Sequence, residues 1–158
     1  MDKIALKIKE LLEAVLTTQY KKYFYGENKA PDEKIFPFIE IIPINSEIKN
    51  IGTGGMLKKI HTIKINIKNT LKKYLTSNTE KEVIDHIQDL VKRMEDDETS
   101  GQPKSTSVIG VLHDNLQLDA TANINGDWTV EYTEIPYGES YIVIASVQFT
   151  VERIASCI

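Results

Sequence analysis

Cysteine is almost missing from this 158-residue chain: Cys157 stands alone, so no intramolecular disulfide can form. A chain of this length buries roughly two thirds of its unfolded surface and needs no covalent or metal staple. Arginine is scarce as well, with 2 Arg beside 17 Lys. Bidentate phosphate and base contacts favour Arg, so this scarcity weakens a nucleic-acid reading. The longest apolar run, around Tyr141 to Ala145, falls far short of the roughly 20 residues needed to cross a bilayer. Met1 to Glu10 also lacks the basic-then-apolar order of a secretion signal, so neither export nor membrane insertion is expected.

Acidic residues are missing from one long stretch. Between Ile48 and Thr79 there is no Asp or Glu, whereas Lys49, Lys58, Lys59, Lys64, Lys68, Lys72 and Lys73 all fall there. The formal charge of −4 therefore hides a split, with +6 on residues 1–75 and −10 on residues 76–158. Such asymmetry points to a charged partner, either nucleic acid or a second copy of the chain. The bland account is coding bias, since the chain also has 22 Ile against 11 Leu.

What is present fits one domain over residues 1–158, with 41% apolar and 27% charged residues. Ile4, Ile8, Leu11, Leu12 and Val15 recur at helical spacing over 2–16. That helical pattern can run on through Tyr20 to Tyr25 and should end by Gly26. Phe36 to Ile42, bounded by Pro37 and Pro43, reads as a strand, and Ile44 to Met56, with Gly52-Thr53-Gly54-Gly55, as a long flexible connection. Leu57 to Lys68 is a clear strand: Ile63, Ile65 and Ile67 face one way, Lys58, Thr62, Lys64, Asn66 and Lys68 the other. These two strands should pair as a hairpin with an extended tip, which is where the glycine run falls. Thr79 and Glu82 form a capping box that opens a helix over about 79–96.

A polar loop at 97–107 is the expected flexible segment, and 107–118 fits either a short helix or a buried strand. Asn125-Gly126 is a hairpin signal if strands flank it. Strands follow over 128–133 and 141–152, the latter alternating for eleven residues. The fold class is α+β: a mainly antiparallel sheet of four to six strands with two helices packed on one face.

Catalytic candidates are thin. His61, His86 and His113 lack companions at metal-ligand spacing. Gly52-Thr53-Gly54-Gly55 is followed by Met56-Leu57 rather than the Lys-Ser/Thr of a phosphate-binding loop. Cys157 lacks a base and a pocket at its penultimate position. No catalytic residue, metal or cofactor is expected. The lysine face has three readings: phosphate neutralisation without stacking aromatics, contact with the acidic helix 79–98 of a neighbouring copy, or an edge blunted by lysine. On the contact reading the candidate interface is Lys49, Lys58, Lys64, Asn66 and Lys68 on the basic side, with Asp85 and Asp89 on the acidic side.

The order of elements resembles the tail terminator and tail-completion proteins of long-tailed bacteriophages. The resemblance rests on the helix Ile4–Val15, the strand from Phe36 to Pro43, the Gly-containing loop feeding Leu57–Lys68, the helix Glu80–Met94 and the last strand Tyr141–Arg153 with its Phe149-Thr150-Val151-Glu152 pattern. It implies a non-enzymatic virion protein, assembled in the host cytoplasm and placed in the virion tail. As a homo-hexameric ring it would cap the tail-tube protein, end its polymerisation and offer a docking surface to the head-side connector, with DNA passing through the ring. Another neck or head-completion protein of the same kind of phage is the near alternative. A small basic-faced nucleic-acid-binding module is the rival from another class.

Overall fold

The periodicity of the first segment produces helix α1, Asp2–Leu16, whose buried line is Ile4, Ala5, Ile8, Leu12 and Leu16. Val15, expected in that line, is exposed: the i, i+4 series through Leu12 and Leu16 sets the core face and leaves position 15 on its flank. The structure, a computed structural model, describes residues 2–28, 33–52, 54–72, 79–95, 102–118, 122–137 and 140–156. The helix does not run on to Tyr25. A 3-10 turn at Thr17–Gln19 ends it, and strand β1, Lys22–Tyr25, follows. The aromatic run suits a half-buried strand packed on both faces: Tyr23 packs against the main core, while Phe24 meets Phe38 edge-on at 5.4 Å on the other face.

Strands β2, Phe38–Asn50, and β3, Met56–Lys72, form the expected hairpin, in register from Phe38 opposite Lys68 to Asn50 opposite Leu57. The expected flexible connection from Ile44 to Met56 is mostly strand. Its polar residues Asn45, Ser46 and Asn50 are paired to the β3 backbone, and the pairing runs to Asn50 opposite Leu57. Gly52 and Gly55 follow at φ 127° and 72°, backbone that L side chains rarely adopt. A bulge between Pro43 and Asn45 switches which β2 residues face the helices.

Helix α2, Thr79–Met94, starts at the expected residue; the side chains of Thr79 and Glu82 that would make its capping box lie outside the described residues. Helix α3, Val108–His113, settles the ambiguous segment, with Ser107 as N-cap accepting the Gly110 N–H at 3.0 Å. The expected flexible loop at 97–107 is described only from 102, where the Lys104 N–H donates to the Glu95 carbonyl at 3.2 Å. Strands β4, Ala122–Ile124, and β5, Thr129–Tyr137, both pair antiparallel with β6, Ser140–Ser156. Asn125-Gly126 therefore does not close a hairpin. The long β6 edge seats β4 and β5 end to end, and the Asn125 N–H donates to the Thr150 carbonyl to keep the chain on that edge.

The result is an α+β fold with a six-stranded, mostly antiparallel sheet in the order β1-β2-β3-β6-β4, with β5 beside β4 on β6. The β1–β2 pair is parallel. Three helices, rather than two, cover one face, where Ile39, Ile41, Ile63, Ile65, Ile67 and the alternate residues Val143 to Val151 meet α1, Leu90 and Met94 of α2, and α3. A second, smaller cluster of Phe36, Phe38, Ile142 and Ile144 lies on the opposite face. This explains why Phe38 to Ile42 shows no alternating polarity: that end of the sheet is buried on both sides.

Candidate functional site

Alternation along β3 turns Lys58, Lys64, Asn66 and Lys68 away from the helices, as the sequence implies, but it does not leave them equivalent. Lys68 is 7% exposed and its Nζ lies 3.1 Å from Oε1 of Glu40, itself fully buried. Glu40 also accepts from the Asn66 amide at 3.2 Å and from the Asn28 backbone N–H at 2.8 Å, and Ser146 donates to Asn66 Oδ1 at 2.6 Å. A buried carboxylate persists only when paired and hydrogen-bonded in this way. Lys68 and Asn66 are therefore corrected from interface residues to an internal clamp, which ties the chain after β1 to the outer face of the sheet. The sequence signal was Glu40 itself, a lone acid inside an apolar strand.

The remaining candidates divide. Lys58 is bound to Glu152 at 3.0 Å and Lys49 to Glu47 at 3.3 Å. Lys64 is half-buried on the same face. Asp85 is exposed on α2, whereas Asp89 binds Arg93 at 2.9 Å. Arg93 in turn donates to the Gln19 carbonyl at 3.2 Å and stacks over Tyr20 at 5.4 Å. Asp89 thus helps secure the end of α2 against the turn after α1, while its side chain stays half-exposed beside the exposed Asp85. A pocket of about 250 Å³ opens here, lined by Gln19, Asp89, Lys92, Arg93, Lys104 and Thr106; it is smaller than the cavities that usually hold a drug-sized ligand.

The sequence implies an extended tip to the hairpin, but not its strand pairing or its exposed apolar side chains. On the helix-side face of β2 and β3, burial falls from His61, 4% exposed, to Ile48, 59% exposed, within a few residues. Ile44, Ile51, Met56 and Ile154 are exposed on the same end of the sheet. Ile44 and Ile48 were hidden among residues that read as loop. Apolar side chains gathered at one end of a sheet, rather than scattered singly, mark a contact surface.

At the root of this projection Ser46 Oγ lies 2.7 Å from His61 Nδ1. Burial first, then the positive charges of the N-terminus, Lys59 and Arg153, hold the imidazole below its ordinary 6.5. A hydroxyl–imidazole pair can generate a nucleophile only when a third group orients the ring and donors await an oxyanion. Among the described residues no side chain bonds the other ring nitrogen, and the pair acts as a lock across the bulged hairpin. Its pH dependence follows. The unfolded chain takes up the proton near 6.5 and the folded chain resists it, so stability is lost as pH falls through that value. Lowering the pH from about 7.5 to about 5.5 should depress the wild-type Tm more than that of His61→Gln; equal slopes would show that the fold does not hold this imidazole neutral.

Among the described residues no three His, Cys, Asp or Glu side chains gather as a metal site would require, and no helix is long and apolar enough to cross a membrane. No family model matches the chain, and no curated protein matches it in sequence.

Proposed function

We propose that this chain is a structural assembly protein of a long-tailed bacteriophage, a tail terminator that forms a ring on the end of the tail tube, stops its growth and presents a docking surface to the head-side connector. The observation that carries the reading is the β2–β3 projection, a sheet end that leaves the helical layer with Ile44, Ile48, Ile51, Met56 and Ile154 exposed. Such a surface is costly in water unless a partner covers it. The three helices confined to one face and the resemblance in element order support the same reading. The nucleic-acid alternative is weakened at one of the atoms it would use, since Lys68 is buried against Glu40, and Lys58 and Lys49 each have a carboxylate, Glu152 and Glu47, beside them.

Light scattering on the purified protein tests the ring. The expected result is a particle of six chain masses of 17.9 kDa each, formed by the free protein or on addition of tail tube. A single-copy mass under both conditions, together with DNA affinity that falls steeply with salt, would favour the binding module instead.

A further inference from the structure

Two like-charge pairs face each other across the strands of the projection. Lys49 stands opposite Lys58, and Lys59 stands opposite Arg153. Like charges directly opposite in a sheet destabilise it. The first pair is answered within the chain, by Glu47 and Glu152. The second is not: among the described residues no carboxylate pairs with Lys59 or Arg153. Beside them Ile48 is exposed, and the β2 edge from Pro43 to Asn50 has no strand partner among the described residues, because β1 pairs only with Phe38 to Ile41. Carboxylates on an unpaired strand are what this surface lacks.

The chain carries such a strand on the far side of its own sheet. β5 pairs with β6 alone, so its other edge is free among the described residues. Asp127, Glu131 and Glu134 are exposed on it and just before it, without ion pairs among the described residues, and no Lys or Arg occurs between Lys104 and Arg153. Exposed Ile135 adds an apolar contact. Directions agree as well. β2 and β6 run the same way, each antiparallel to β3, and β5 runs against β6. Laid edge to edge, β5 of one copy would pair antiparallel with β2 of the next.

We infer that the projection of one copy docks on the β5 edge of another, the two sheets joined at β2 and β5 and the acidic β5 edge offsetting the positive charge of the projection: Glu134 shares the helix-side face with Lys59 and Arg153, and Glu131 the opposite face with Lys49. The inference rests on the ring reading and names the surfaces that make the ring, with β5 in place of the acidic helix α2. The contact is head-to-tail, joining unlike patches, which is the kind that closes rings. The pairing segments lie toward opposite ends of the sheet, since β5 covers residues 140–148 of β6 whereas the projection lies beside residues 152–156. Successive copies are therefore staggered along the strands, as closure of a sheet into a barrel requires.

Charge exchange tests this. Lys59→Glu/Arg153→Glu carries two acidic surfaces, and Glu131→Lys/Glu134→Lys carries two basic ones. Under the conditions in which wild type assembles, each variant alone should give single-copy masses, and an equal mixture should regain the wild-type mass by alternation. Far-ultraviolet circular dichroism checks that both variants fold. If each folded variant assembles as wild type does, the docking surfaces are wrong while the ring stands. A two-copy particle lost only in the Lys59/Arg153 variant would assign hairpin-to-hairpin pairing and overturn the β5 contact. A wild type that stays single-copy, alone and with tail tube, overturns the ring reading and this inference with it.

Discussion

Lys68→Ala is expected to destabilise the protein by about 3–5 kcal/mol, the usual cost of leaving one partner of a buried ion pair alone. For a chain of this size that lowers Tm by on the order of 10 °C, at about 2–4 °C per kcal/mol. The reason is local. Glu40 is fully buried, and the Lys68 ammonium is the one cation among its three donors. Removing that cation strands a carboxylate against Phe38 and its apolar neighbours, with only two neutral amides to hold it. Glu40→Leu/Lys68→Met should recover most of the loss, because replacing both charges by apolar groups of similar volume is often neutral or better. Chemical denaturation of both variants checks the pair. A cost below about 1 kcal/mol for Lys68→Ala is what a solvated surface pair shows, and would contradict a buried clamp. Lys68→Glu, which places two carboxylates together there, would report on folding and is unsuited to testing assembly.

The second large effect is expected at Gly110. A methyl group there would sit 1.8 Å from the Lys104 carbonyl oxygen and 2.6 Å from its carbon. Helix propensity alone predicts that Gly110→Ala stabilises α3 by about 1 kcal/mol. Packing predicts the opposite, and the obstacle is backbone, which cannot swing aside as a flexible side chain can. The same Lys104 carbonyl accepts the Ser107 N–H at 2.8 Å and lies 2.7 Å from the Ser107 hydroxyl, which also caps α3. Moving the turn to clear the methyl therefore disturbs the cap as well. Overpacking and cap loss together should outweigh the propensity gain, for a net loss of about 2–4 kcal/mol. Ser107→Ala, which touches the cap alone, should cost about 1 kcal/mol. Thermal melts of the two variants decide the sign, and a Gly110→Ala protein as stable as wild type would mean that α3 does not sit against the 102–107 turn.

These two sites also show where the sequence was legible. Period 3.6 at Ile4, Ile8 and Leu12 and period 2 at Ile63, Ile65 and Ile67 read directly as a helix and a strand, because each has one buried face. Val108 to Leu112 could not be assigned by period, since α3 is buried all round and short apolar runs fit either element. Its Ser107 cap was the usable signal. Lys68 and Asn66 read as surface because alternation says which face a residue takes, never what covers that face. Phe24 from β1 and Phe36 and Phe38 from the segment that opens β2 cover it. The pairing of the projection was the largest miss. Asn45, Ser46 and Asn50 have loop composition, and only their pairing with β3, a long-range fact, makes them strand. The basic half of the charge split survives as the projection, while Asp89 is held by Arg93 one turn along α2 and β5 is an exposed acidic edge.

Growth of tail tubes decides whether the chain ends their polymerisation. If the chain is the tail terminator proposed above, its cognate tail-tube protein would be polymerised with and without it and followed by electron microscopy. Tubes should stop lengthening when the chain is present, and each stopped tube should carry a ring at one end. Tubes of unchanged length with bare ends, at chain concentrations equal to the tube protein, would contradict the proposed function.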